Sequence, residues 1–145
     1  MNALQKVSRL RVFGILCLAA MVSSGCATMD GRWQGSQVDP EMARDQFKLL
    51  RPDHEPGRLV NADLRLHNDG SYTAELNYDG QIQRSQGTWD YDHSERYITF
   101  VDEYGHTYGY SVRRPDDRTA ELVKEVQGTD AVLELKQRTD DRPLW

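Results

Sequence analysis

From residue 58 onward the chain alternates. In "RLVNADLRLH" the apolar Val60, Ala62, Leu64 and Leu66 stand two apart among polar neighbours, and Tyr72, Ala74, Leu76 and Tyr78 repeat the pattern in "SYTAELNY". A period of two with one apolar face predicts half-buried antiparallel strands. Between these runs Asp69-Gly70 supplies the positive φ of a tight hairpin turn, and "YDG" at 78–80 repeats the signal. The third run, "QIQRSQGTWDY", breaks parity, since Ile82 and Trp89 lie seven apart. A bulge near Gly87 is expected to turn both to the core, because glycine inside a strand often marks one.

Four further runs follow, "RYITFVDE", "HTYGYSVRR", "TAELVKEV" and "AVLELKQR", each separated from the next by a turn former. With "GRWQGSQV" as the first strand the count is eight, joined throughout by short hairpins. Eight antiparallel strands in simple order close most easily as an up-and-down barrel, which removes exposed edges. The expected fold is therefore all-β, with one short helix inserted. That helix is placed at about residues 40–50, where Pro40 follows Asp39 and where Met42, Phe47 and Leu50 fall near one helical face. It is either a plug over the barrel or a helix that only packs. The interior is expected to hold Trp33, Leu64, Leu66, Leu76, Ile98, Phe100, Leu122, Leu133 and Leu135, with Trp89 buried beside them.

The N-terminal region has a different character. Lys6, Arg9 and Arg11 precede the almost wholly apolar Val12–Val22, and no acid occurs before Asp30. A permanent span needs ~20 apolar residues, so this shorter run has the shape of a secretory signal. Ser23, Ser24 and Gly25 then lead into Cys26. The arrangement resembles the lipobox of bacterial lipoproteins, in which the cysteine is joined to a diacylglyceryl group, cleavage falls just before it and the new N-terminus is acylated. Ser23 stands where that pattern usually has a Leu. Cys17 lies inside the signal, so Cys26 would be the sole cysteine left and would form no intramolecular disulfide. The expected organisation is a signal over 1–25, a lipidated tether over 26–30, the barrel over 31–138 and a tail over 139–145. By resemblance to lipoprotein sorting in enteric bacteria, Ala27 in place of an aspartate directs the protein to the outer membrane, facing the periplasm.

Charge narrows the partners. Loss of Lys6, Arg9 and Arg11 with the signal leaves 15 basic against 23 acidic residues, a net of −8. Such a surface avoids nucleic acid and bare anionic membrane, so membrane attachment is expected to come from the acyl chains alone.

Gly31-Arg32-Trp33 at the start of the first strand resembles the Gly-x-Trp of lipocalin-type barrels, whose tryptophan closes one end. Together with Leu64-x-Leu66-x-x-Asp69-Gly70-x-Tyr72, Tyr78-x-Gly80 and Gly87-x-Trp89, it is similar to small lipocalin-like domains of bacterial envelope lipoproteins. It is also similar to the N-terminal barrel of copper-resistance and envelope-stress lipoproteins. The Cys-x-x-Cys of many copper-resistance domains is absent here, so no thiol-based metal or redox role is carried over. These motifs consist of turn and core residues and speak for fold more than for function.

Chemistry is sparse. His54, His67, His93 and His106 are scattered, and no serine, cysteine or carboxylate beside them forms a nucleophile motif, so no enzyme is expected. His93 and His106 flank "SERYITFVDEYG", and Asp92, Asp102 or Glu103 would complete imidazole and carboxylate ligands only if the fold converged them; the expectation is solvated histidines, no metal and no cofactor. The acid pairs Asp116-Asp117 and Asp140-Asp141 read as solvated charges. Tyr72, Tyr78, Trp89, Tyr91, Tyr108 and Tyr110 fall on faces assigned inward, and rings with polar tips suit a partly polar ligand, which makes them the candidate binding residues. Two functions follow. One is a non-catalytic interaction module that docks on an envelope protein as assembly factor, stress reporter or inhibitor; the other is a carrier or sensor of a small amphipathic ligand. A crowded interior and an acidic exterior favour the module.

Overall fold

The computed structural model describes residues 28–44, 47–50 and 57–139. Eight strands, β1 (Gly31–Asp39), β2 (Leu59–Leu66), β3 (Ser71–Tyr78), β4 (Gln81–Asp92), β5 (Tyr97–Asp102), β6 (Thr107–Asp116), β7 (Thr119–Val126) and β8 (Thr129–Arg138), follow one another along the chain. Each pairs antiparallel with the next and β8 returns to β1, so the sheet closes into a barrel in simple order. Closure removes the free edges that eight short strands would otherwise expose. Cys26 and the segment before it, His54, Asp140-Asp141 and Trp145 lie outside the described residues.

Because the strands alternate in direction, the turns segregate to two ends. One end, the N-terminal end, carries residues 28–30 and the turns after β2, β4 and β6. The far end carries the β1–β2 connection and the turns after β3, β5 and β7. Inward positions alternate as the sequence pattern demands, with Ala62, Leu64, Leu66, Tyr72, Ala74, Leu76 and Tyr78 all buried on β2 and β3. Trp33 is completely buried at the N-terminal end, its indole Nε1–H donating to the Met29 carbonyl at 2.8 Å. The Arg114 guanidinium lies 5.3 Å from the centre of its ring and donates to the carbonyls of Thr28 (2.9 Å) and Asp117 (2.8 Å). One arginine thereby covers the tryptophan and straps residues 28–30 across that end.

The inserted helix is not there. Among the described residues the segment holds only a 3-10 turn at Glu41–Ala43, and Met42 is 83% exposed while Phe47, Leu49 and Leu50 are buried. The apolar residues are used two and one apart, as an irregular segment that drops into the barrel mouth. Leu50 takes a left-handed φ of 53°, which a helix of L-residues excludes. Side-chain hydroxyls supply the hydrogen bonds that a helix would have made internally.

The bulge expected near Gly87 is also absent. The β3–β4 register runs unbroken from Ser71↔Thr88 to Tyr78↔Gln81, so Ile82 points outward and is 57% exposed, and Trp89 is half-buried. Gly87 instead marks a close approach, since a Cβ there would stand 2.0 Å from the Val101 carbonyl oxygen as β4 leaves β3 alone and takes up β5. Register shifts occur elsewhere, at Gln34/Gln37 of β1, Leu59/Asn61 of β2 and Arg113/Asp116 of β6. The second of these moves the β2 apolar face by one residue at its start, burying Leu59 and turning Val60 outward.

The two placements differ enough to measure. Trp33→Ala is expected to lower unfolding free energy by about 3–5 kcal/mol, and Ile82→Ala to stay within about 0.5 kcal/mol of the parent in urea denaturation.

Candidate functional site

Of the six aromatic residues proposed for ligand binding, four meet inside the barrel. Tyr72, Tyr78, Tyr108 and Tyr110 are buried, and Phe100 joins two of them, 5.1 Å from the Tyr72 ring and 6.1 Å from that of Tyr110. Their hydroxyls are already engaged. Tyr78 donates to the Leu49 carbonyl (2.7 Å) and accepts from the Leu49 N–H (3.1 Å), while Tyr110 donates to the Lys48 carbonyl and accepts from the Leu50 N–H, both at 3.2 Å. Phe47 completes the contact, its ring 6.3 Å from that of Tyr110. Two phenols reaching up from the walls thus hold residues 48–50 over the far end. Burial pushes the Tyr110 hydroxyl well above the ordinary tyrosine range, which keeps it a neutral donor.

The other two hydroxyls face the walls. Tyr72 pairs with Ser85 at 2.8 Å, and Tyr108 donates to Asp102 Oδ2 at 2.9 Å. Trp89 and Tyr91 are separated from this group at the N-terminal end, where they border a surface groove of about 280 Å³ beside Met29, Asp30 and His93. The Trp89 indole donates to the His67 carbonyl at 2.9 Å, and Tyr91 meets His93 edge-on at 4.7 Å.

The three described histidines do not converge. His67 and His93 lie exposed in turns at the N-terminal end and His106 in the β5–β6 turn at the far end. Among the described residues no group of three histidine, cysteine or acidic side chains is placed to hold a metal ion. His106 instead belongs to a turn built on Asp102, whose carboxylate accepts from the backbone N–H groups of Tyr104 (2.9 Å) and His106 (2.8 Å). It also meets His106 Nδ1 at 3.0 Å and accepts the Tyr108 hydroxyl. Partial burial alone would raise the Asp102 pKa, but these bonds outweigh it and hold the carboxyl below its ordinary 3.8.

One polar constellation has no counterpart in the sequence reading. On the outer face of β1 and β2, Arg32 Nε lies 3.1 Å from both Asp63 oxygens and its Nη2 lies 2.6 Å from Oδ2, a two-pronged pair in which each residue is only 8% exposed. Gln34 adds a bond to Asp63 Oδ2 at 3.1 Å. The pair forms the floor of a groove of about 480 Å³ that runs across the outer face to β4 and Glu103. Arg32 and Asp63 sit in the outward phase of their strands and therefore read as solvated; only the register, Arg32↔Arg65 beside Gln34↔Asp63, brings them together.

No protein-family model matches the chain, and a search of curated proteins finds no similar sequence.

Two outcomes are expected. Tyr78→Phe and Tyr110→Phe each strip two backbone groups of their partner, so each should lower stability by about 1–3 kcal/mol and speed hydrogen exchange at the Leu49 or Leu50 amide. For Asp102, a folded pKa below the unfolded one gives stability that is present above 3.8 and lost as pH falls through the folded value. Thermal midpoints of the parent and of Asp102→Asn should accordingly differ most above pH 3.8 and converge as the solution is acidified further.

Proposed function

We propose that the protein is a lipid-anchored envelope lipoprotein whose lipocalin-like barrel serves as a non-catalytic interaction module. It is held through acyl chains on Cys26 at the outer membrane and faces the periplasm. The observation that carries this reading is the filled interior: the tyrosines suited to a cavity ligand give their hydroxyls to the barrel's own backbone and side chains. Eight-stranded barrels can be packed solid by their own side chains, and function then falls to the exterior.

That exterior presents acidic turns at the N-terminal end, including Asp116 and Asp117, which are exposed. The carrier reading would need residues 47–50 to leave the barrel mouth and four hydroxyls to change partners, a sum of losses that a small amphipathic ligand would have to replace.

The test combines anchor and surface. Cys26→Ser should free the protein from the membrane fraction and abolish lipid labelling. Crosslinking in cells with the parent protein should recover one defined envelope protein, and the pair Asp116→Lys, Asp117→Lys should reduce that recovery at least tenfold. A small molecule retained in the native mass spectrum of the parent, with crosslinking unaffected by the reversed turn, would move the assignment to the carrier.

A further inference from the structure

We infer that the first half of β4 is an edge at which two copies of this chain pair, antiparallel and about a two-fold axis at Gln83. The inference does not rest on the anchoring or docking readings. β4 has twelve residues and β5 only six, so β4 meets β3 over residues 81–88 and β5 over 87–92. On this strand the ring is closed only from Gly87 onward. Residues 81–86 stand beyond the point where the β5–β6 turn leaves the sheet.

Two bonds fix the direction of the main chain there. The Gln86 carbonyl accepts from the Glu103 N–H at 2.9 Å, on the β5 side, whereas the Trp89 N–H donates to the Gly70 carbonyl at 2.8 Å, on the β3 side. Successive strand residues present their N–H and C=O to opposite sides in turn. Ile82 and Arg84 therefore aim both groups at the bare side, where no strand meets them among the described residues. Such a row is a template for another strand, and natural edges are blunted by proline, lysine, a bulge or an inward charge. Residues 81–86, Gln-Ile-Gln-Arg-Ser-Gln, carry none of these. Their register with β3 is unbroken, and the single charge, Arg84, lies in the outward phase with its Nε donating to Glu75 Oε1 at 3.0 Å.

A second copy is selected because this edge complements itself. Setting Gln83 opposite its own counterpart places Ile82 opposite Arg84 and Gln81 opposite Ser85. Ile82 and Arg84 then exchange a pair of N–H···O=C bonds on each side of the axis. Ile82, 57% exposed, is covered by the methylene stem of the opposing Arg84. Gln83 is half-buried, and its amide has no hydrogen-bond partner among the described residues. An amide both donates and accepts, so across a two-fold it pairs with itself; Gln81 and Ser85 match for the same reason. No acid occurs from Gly80 to Trp89 in a chain of 23 acidic and 18 basic residues, so two acidic molecules meet where the strand is not acidic. The two-fold points the barrels in opposite directions, and in a lipid-anchored protein the same pairing links copies held on facing surfaces.

The test uses the full chain in detergent. Sedimentation should show a reversible monomer–dimer equilibrium. Ile82→Pro removes an N–H that points away from β3, so it should weaken the dimer at least tenfold while the thermal midpoint stays at the parent value. Cysteines introduced in a Cys17→Ser, Cys26→Ser background read the register. Opposed Gln83 positions bring their Cα atoms to about 4.5 Å, within disulfide range, so Gln83→Cys should oxidise to a covalent dimer at least tenfold faster than Gln81→Cys. A mixture of Gln81→Cys and Ser85→Cys should give the mixed dimer. Should Ile82→Pro fold poorly, the cysteine series carries the test alone. A monomer at every concentration, a dimer indifferent to a folded Ile82→Pro, or Gln83→Cys oxidising no faster than Gln81→Cys would overturn the inference. So would the absence of a dimer together with an Ile82→Pro-sensitive crosslink to a different protein, which would give this edge to that protein's strand.

Discussion

Closing eight strands into a single ring leaves an interior with two open mouths, and the rest of the molecule depends on how they are stopped. At the N-terminal end the stopper is Trp33, wholly buried, its indole tied to Met29 and its face covered by Arg114. At the far end it is a piece of main chain, residues 47–50, suspended from the hydroxyls of Tyr78 and Tyr110. The two solutions differ in kind. A large ring fills its mouth by volume, while a backbone segment must have its amide and carbonyl groups satisfied before it can be buried. Two tyrosines can do this because a phenol both donates and accepts.

That requirement explains why some of the fold was legible in the chain and some was not. Alternation of apolar and polar residues carries its own meaning wherever one face of a strand is buried, so β3 and β7 coincide with the runs "SYTAELNY" and "TAELVKEV", and the all-β barrel in simple order follows. The segment after Pro40 carries a helical spacing of apolar residues that the structure does not use. The hydrogen bonds that decide its conformation come from Tyr78 and Tyr110, about thirty and sixty residues away, and no local pattern records them. Ile82 and Trp89 point to the same kind of gap: without a bulge at Gly87 parity prevails, Ile82 stays outside, and the glycine is spent on the close passage to Val101.

The candidate site divides along the same line. The phase of the tyrosines was legible, and Tyr72, Tyr78, Tyr108 and Tyr110 do point inward. Their role was not, since a polar tip on an inward ring looks identical in sequence whether it awaits a ligand or holds a backbone. The outer pair Arg32–Asp63 was invisible for the opposite reason. Charged residues in the outward phase of a strand are read as solvated, and two of them become a buried pair only when register sets them on neighbouring strands within reach of each other.

Burying an ion pair on the outer face is a poor way to stabilise a barrel, because the desolvation of both partners offsets much of their attraction and apolar residues would serve as well. The pair makes better physical sense as a fixed electrostatic floor. Arg32 and Asp63 cancel each other in net charge while leaving a strong local dipole between β1 and β2, and Glu75, paired through Oε1 with Arg84, stands beside it. Inside the barrel each polar tip of the buried tyrosines has found a protein partner. Outside, along this one groove, a single carboxylate oxygen, Glu75 Oε2, is shielded from water without a hydrogen-bond partner among the described residues. Unsatisfied hydrogen-bonding capacity is where a folded chain can still gain free energy, and among the described residues it lies on the outer wall of the barrel and not in its core.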